Sequence, residues 1–274
     1  MNDGRIESYQ FILTSALSLV VEDEFIYTKI VTILPNFVFY NNTKLELYVA
    51  QSGYLDFAFT IAPGESKPFH WPHIREPKLV QICLDSLSKW DWSSSFDLGE
   101  LGSIAVRCKC QSEKKNYLLV KINKYQAKEL IATEIELENQ EYPLYRIDNH
   151  SKTFSVQYWQ KGKPEEAEYL NTLSQVPFAW SDFSHPKILV LSLYYNDQCI
   201  MEISDKVYEF SLEEVDKGKE IKVKLTKKTG RVVFISTKAD GNTKILRICD
   251  VVPAYDMGKN EKEIRYNYSI YVSI

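Results

Sequence analysis

Two stretches decide how this chain is read: PFHWPHIREPKLV at residues 68–80 and PFAWSDFSHPKIL at residues 177–189. They share Pro, Phe, Trp, Pro and Lys in one register at an offset of 109, which places Phe69 on Phe178 and Trp71 on Trp180. Working outward, Gln51 falls on Gln160 at the same offset. Beyond a one-residue insertion, PNFVFYN (35–41) falls on PLYRIDN (143–149) at an offset of 108, aligning Pro35 with Pro143 and Asn41 with Asn149. Past a five-residue insertion, FDLGEL (96–101) matches FSLEEV (210–215). Several rare residue types agreeing at one spacing mark an internal repeat, each copy being one supersecondary module.

Within each copy the local signals are those of strands. Runs at 37–40, 44–49, 79–84, 104–108 and 118–122 are bounded by turn residues such as Pro63-Gly64, Gly99 and Gly102. The second copy offers 187–194, 198–203, 220–225, 231–236 and 245–248, and residues 222–225 alternate with period two. The best helical candidate is the short segment 163–174. About 110 residues of evenly spaced strands per copy predict an all-β chain of tandem antiparallel β-sandwich repeats. The expected divisions are repeat one at 33–132 and repeat two at 133–250. Residues 1–32 read as closing strands of a preceding repeat, because Tyr9 lies 26 residues before Pro35 as Tyr117 lies 26 before Pro143. Residues 251–274 read as the start of a further one.

Composition narrows the function. The 274 residues are 45% hydrophobic, ample for a core, with 18 Tyr and 13 Phe that favour strands. A net charge of −4 argues against a nucleic-acid partner, which needs an excess of cations. The five cysteines are odd in number and contain no CxxC pair, so reduced thiols are expected rather than a disulfide framework or a zinc site. The apolar stretch 11–21 is too short to span a bilayer, and Asp3 and Glu7 before it are wrong for a signal peptide. A cytoplasmic chain is expected.

No constellation for catalysis appears: there is no GxSxG elbow, P-loop or dinucleotide glycine pattern, and no cofactor or metal is implied. His70 and His73 raise the alternative of a jelly-roll metal-dependent enzyme, but repeat two has Ala179 where repeat one has His70. Lys217, Lys219, Lys222, Lys224, Lys227, Lys228 and Arg231 form a basic stretch. It reads either as an anionic-membrane patch or as lysines that protect an exposed strand edge. Asn41 and Asn149 each end an aromatic-rich run with Ser or Thr two residues on, a spacing at which the amide bonds nearby backbone and supports a turn.

Residues 28–51 (TKIVTILPNFVFYNNTKLELYVAQ), 65–71 (ESKPFHW) and 92–106 (WSSSFDLGELGSIAV) resemble the adaptor-binding, or SHR-binding, domain of chorein-type vacuolar protein sorting proteins. The resemblance rests on Pro35, Phe37, Asn41, Gln51, Pro68, Phe69, Trp71, Trp92, Ser93, Phe96 and Gly102. It implies a non-enzymatic module on a bridge-like lipid-transfer protein. Its implied partners are adaptor proteins that carry Pro-x-Pro motifs, docking at an exposed strand edge and bringing the protein to organelle membranes and contact sites. Asn41 and Asn149 are then the positions implied to contact or support the adaptor. The chain departs from the family pattern at Asn36, where an arginine is usual, and at Asp216, which stands where Gly102 would align.

Overall fold

A computed structural model describes residues 13–20, 28–73, 75–85, 87, 89–112, 116–195, 198–199, 207–224 and 230–251. A hairpin comes first, β1 (Leu13–Val20) against β2 (Thr28–Pro35), with Leu13, Leu17, Val31 and Ile33 exposed on one face. One residue later the first unit begins: β3 (Phe37–Asn41), β4 (Leu47–Gln51), β5 (Phe59–Ile61), β6 (Ser66–Phe69) and β7 (Leu79–Leu84). It continues with β8 (Phe96–Asp97), β9 (Gly102–Lys109), β10 (Tyr117–Ala127) and β11 (Leu130–Leu137). The second unit comprises β12 (Tyr145–Asn149), β13 (Ser155–Gln160), β14 (Glu168–Leu170), β15 (Ser174–Phe178) and β16 (Leu189–Tyr195). Its remaining strands are β17 (Gln198–Cys199), β18 (Tyr208–Phe210), β19 (Gly218–Lys224), β20 (Gly230–Asp240) and β21 (Thr243–Val251).

The two units share one topology. Unit one packs a five-stranded sheet, β6-β3-β11-β10-β9, on a four-stranded sheet, β5-β4-β7-β8. Unit two repeats this as β15-β12-β21-β20-β19 over β14-β13-β16, with both β17 and β18 pairing β16. Alternation along the strands fills the gap between the sheets. In unit one Phe39, Val106, Val120, Ile122 and Ile135 meet Leu47, Val49, Ile61, Val80 and Ile82, all fully buried. Burying side chains of this size is worth about 1.5–3 kcal/mol each, which is what holds two sheets face to face.

The all-β sandwich architecture agrees with the pattern in the sequence, with one refinement. The first and last strands of each unit pair in parallel, β3 with β11 and β12 with β21. The long path around both sheets makes this possible, since parallel neighbours need a long connection. The helical candidate at 163–174 is corrected. Only Pro164–Glu166 forms a 3₁₀ turn, and the rest becomes β14 and the start of β15. Hydrogen bonding of β14 to Val156–Tyr158 outweighs the helical propensity of so short a run. Cys83, Cys108, Cys110 and Cys249 are not joined in disulfides, and burial pushes the Cys83 thiol up to about 11.

Candidate functional site

The repeated asparagines sit where the two sheets exchange strands. Asn41 ends β3 and is fully buried. Its Nδ2 donates to the carbonyls of Leu45 (2.8 Å) and Ile61 (2.9 Å), and its Oδ1 accepts from the Thr43 amide (3.0 Å) and hydroxyl (2.7 Å). Asn149 is built alike, donating to Phe154 and Asn171 (2.9 and 2.8 Å) and accepting from the Ser151 amide (3.1 Å). Each amide therefore ties the turn into β4 or β13 to the end of β5 or to the loop after β14. That second contact fixes the loop from which β6 or β15 departs.

β6 and β15 are edge strands of their sheets. Ser66, Lys67 and Pro68 are exposed. The Asn41 amide donates to Glu65 O, and Tyr40 stands opposite Ser66, so Ser66 turns its own N–H and carbonyl away from β3. Pro68 follows two residues later, at a place where a missing N–H costs no ladder bond. Gln175 and Pro177 hold the same places in β15.

The glutamines hold the next loop. Gln51 accepts from the His73 amide (3.0 Å) and donates to His73 O (2.9 Å). Gln160 accepts from the amides of Ser181 and Asp182 and donates to Asp182 O (2.6 Å). Beneath these loops Trp71 and Trp180 are buried edge-on against Phe69 (4.8 Å) and Phe178 (5.0 Å). Ser93 takes a strand's role for β7, its Oγ accepting from Ile82 N (3.1 Å) and its amide donating to Ile82 O. Trp92 is half-buried against Cys83 and Cys110, and Phe96 is buried in the core. Gly102 opens β9 with φ +118°, a conformation that a side chain strains. Asp216, its counterpart in unit two, adopts φ +61°, which aspartate tolerates better than most residues. Pro35 ends β2, and Pro143 precedes Leu144, the residue before β12.

The remaining candidates are scattered. His70 has its pKa lowered by burial, while the His73 ring stacks on Tyr54 at 3.6 Å. Among the described residues no three or more His, Cys, Asp or Glu are grouped to hold a metal. Within the basic stretch, Lys217 pairs with Glu214 (2.5 Å), and Lys219, Lys222 and Lys224 lie on β19, an edge strand. Arg231 lies on β20, and Lys227 and Lys228 fall outside the described residues. No helix among the described residues is long and apolar enough to cross a membrane.

A seam between the units escaped the sequence reading. Unit two lays its loop after β15 on the outer edge of β9: Trp180 bridges Val106 in parallel, and its amide donates to Ala105 O (3.3 Å). Arg107, buried, donates through Nε to Ala179 O (2.9 Å) and through Nη1 to Glu168 (2.5 Å). The Tyr117 and Tyr158 hydroxyls donate to the same carboxylate, and the Tyr117 ring lies 4.6 Å from the guanidinium carbon. Lys109 pairs with Glu166. The Phe183 amide donates to Ser94 Oγ (2.7 Å). A signal for the seam existed: in the run Val106-Arg-Cys-Lys-Cys110, charges alternate with thiols, so Arg107 and Lys109 share the face opposite Cys108 and Cys110.

Comparison with known proteins places these features. Residues 20–185 match the family model of the vacuolar-sorting associated protein 13 adaptor binding domain. The intermembrane lipid transfer protein vps13D of Dictyostelium discoideum is 30% identical over 174 residues, which are 61% of this chain and 4% of that protein. The intermembrane lipid transfer protein vps13A of the same organism is 26% identical over 137 residues, 48% of this chain and 4% of that protein. The chain thus spans a few hundredths of the length of these relatives.

Proposed function

The chain belongs to the vacuolar-sorting associated protein 13 adaptor-binding domain family, in which the curated relatives are lipid transfer proteins, and on that premise we propose that it captures proline-containing segments of adaptor proteins by strand addition. The observation that carries this reading is the pair of edge strands, β6 and β15, each following a loop that a buried asparagine holds. In an extended Pro-x-Pro segment the two prolines point their nitrogens one way, and the middle residue offers N–H and C=O the other way. Ser66 presents the matching pair of groups, so a proline-spaced peptide loses no hydrogen bond there. Asn41 and Asn149 act as supports of the edge, since their amides are engaged within their own units. Capture of an adaptor in this way would bring the protein, from the cytoplasmic side, to organelle membranes and contact sites without a contact between this module and lipid.

Titration calorimetry of the full chain with Pro-x-Pro peptides tests the reading. Ser66→Pro removes the outward N–H of β6 and leaves its ladder to β3, and Gln175→Pro does the same in unit two. At least one of these substitutions is expected to weaken binding about tenfold or more, the worth of roughly one net hydrogen bond, with the fold unchanged. If neither substitution alters the affinity, the edge assignment fails; if no Pro-x-Pro peptide binds the unaltered chain, the capture mechanism itself fails.

A further inference from the structure

Different chemistry flanks the two edge strands. Asn41 pairs with Ile135 and Asn149 with Ile248, so Val38, Tyr40 and Glu134 of unit one correspond to Arg146, Asp148 and Arg247 of unit two. Phe37, Phe39, Tyr145 and Ile147 point into the cores, which puts the residues between them on the outer face of each sheet. There Val38 and Tyr40 stand beside Pro68 and Ser66 of β6, and Arg146 and Asp148 beside Pro177 and Gln175 of β15. Unit one builds the same sandwich with a valine and a tyrosine, so the fold itself does not require the charges of unit two.

In unit two these charges form one cluster. The Asp148 carboxylate is 1% exposed, and Arg146 donates to it through Nε (2.7 Å) and Nη2 (3.1 Å). Arg247 Nη2 and His150 Nε2 stand 3.7 and 3.9 Å from the same carboxylate. Arg247 Nε is buried without a hydrogen-bond partner, and Arg146 Nη1 donates to no group among the described residues. Two guanidiniums therefore share one buried carboxylate with donors left over. Asp240 also acts on Arg146, but Lys238 lies two residues away on the same strand and offsets it. Asp250 is engaged by Ser151, Lys152 and Thr153. On the matching face of unit one, Lys121 is paired with Glu136 (2.9 Å), and Glu134 accepts only from the Tyr125 hydroxyl (2.7 Å). The flank of β15 thus holds an excess of cations and the flank of β6 an acidic group.

A Pro-x-Pro middle residue that exchanges both its bonds with Gln175 does so in an antiparallel pair. The peptide residue directly before the first proline then lies beside Pro177, on the face that carries Arg146. Two strand spacings, about 10 Å between backbones, separate it from β12, with only the proline ring between them. An arginine and a glutamate side chain together cover that span. Resting on capture at the β15 edge, we propose that this edge selects segments with an acidic residue directly before the first proline, and that Arg146 is the residue that reads it. Asp148 fixes the Arg146 guanidinium, Arg247 keeps the cluster cationic, and the incoming carboxylate takes the free Nη1. The β6 edge has Val38 in that place and Glu134 behind it, so it offers an acidic segment no partner. Complementary charge of this kind sets which partner is accepted more than how tightly any partner binds.

Titration calorimetry of the full chain tests it with three Pro-x-Pro peptides that carry Glu, Gln or Lys directly before the first proline. Ser66→Pro closes the β6 edge and leaves β15 open. In that chain the Glu peptide is expected to bind about fivefold tighter than the Gln peptide and the Lys peptide weaker, a spread that narrows in about 0.5 M salt. Arg146→Gln is expected to bring the Glu-to-Gln ratio below about twofold; a ratio is read, so a general weakening cancels. The peptide series needs no change at Arg146, so it decides even where that variant fails to fold. The reciprocal chain, Gln175→Pro, is expected to show no preference for Glu. Equal binding of the three peptides by the Ser66→Pro chain overturns the charge assignment and leaves capture standing. A Glu preference that survives Arg146→Gln, or that arises in the Gln175→Pro chain, overturns it too. If the Ser66→Pro chain binds no peptide, the assignment fails together with capture at β15, and binding by neither chain removes capture altogether.

Discussion

Asn41 uses both donors and its carbonyl oxygen inside unit one, in a site closed to water. A buried polar group costs about 1–3 kcal/mol when its partner is removed, and Asn41 serves several at once. Asn41→Ala would take a partner from the carbonyls of Leu45 and Ile61 and from the Thr43 amide, leaving Leu45 O only the Thr43 hydroxyl, so a loss of about 3 kcal/mol is expected in denaturant unfolding. Asn41→Asp is the sharper variant. It keeps the shape but turns an acceptor oxygen toward two carbonyl oxygens, so it should destabilise at least as much as alanine at neutral pH and recover in part when the carboxyl is protonated. A change below about 1 kcal/mol for both would show that the hydrogen bonds are not what makes the position matter. The bond to the residue two on was legible in the Asn-x-Thr and Asn-x-Ser spacing. The bonds to Ile61 and Asn171 were not, because they reach 20 and 22 residues along the chain and no local pattern encodes them.

At the scale of strands, the seam is held by charge as well as by packing. Lys109 and Glu166 pair across it, and Arg107 meets Glu168 with little access to water. Burial alone would raise the Glu166 carboxyl, but hydrogen bonds from Lys109 and Ser181 hold it below its ordinary value. Asp182, beside the Ser94 contact, is also held low: burial opposes ionisation, while the Ser184 hydroxyl and amide and the Lys163 ammonium outweigh it. Carboxyls with depressed values stabilise the folded state above their unfolded pKa and lose that contribution as pH falls through the folded one. Lowering pH from about 5.5 to about 3 should therefore loosen the seam, starting near the unfolded carboxyl values. Faster exchange at Ala105–Arg107, measured after correction for the intrinsic pH dependence and set against β20, would show it; equal changes in both strands would deny it. The strands here were legible in the sequence, but their neighbours were not. Short runs bounded by turn residues placed β9 and β10, whereas the parallel pairing of β3 with β11 depends on how the whole unit closes. Unit two meets unit one at Arg107 and Ser94 through contacts 61 and 89 residues apart, beyond any periodicity.

Over the whole molecule, the two sandwiches share more than a polar seam. Ala105 and Leu119 of unit one belong to the buried cluster of unit two, and Phe183 of unit two packs against both. Opening one unit would therefore expose apolar surface of the other, and the two should melt together in calorimetry, with calorimetric and van't Hoff enthalpies equal. Arg107→Ala tests the coupling. It leaves Glu168 among tyrosine hydroxyls without its buried cation, and breaking such a pair typically costs about 3–5 kcal/mol. Because Arg107 sits at the joint and also bonds the loop that carries Trp180, that loss should fall on the contact between units more than on either core. The expected result is a thermogram that divides into two transitions, with the strand content at low temperature unchanged. A single transition merely shifted downward would place Arg107 within the stability of unit one itself, and two transitions in the unaltered chain would show that the units are separate from the outset.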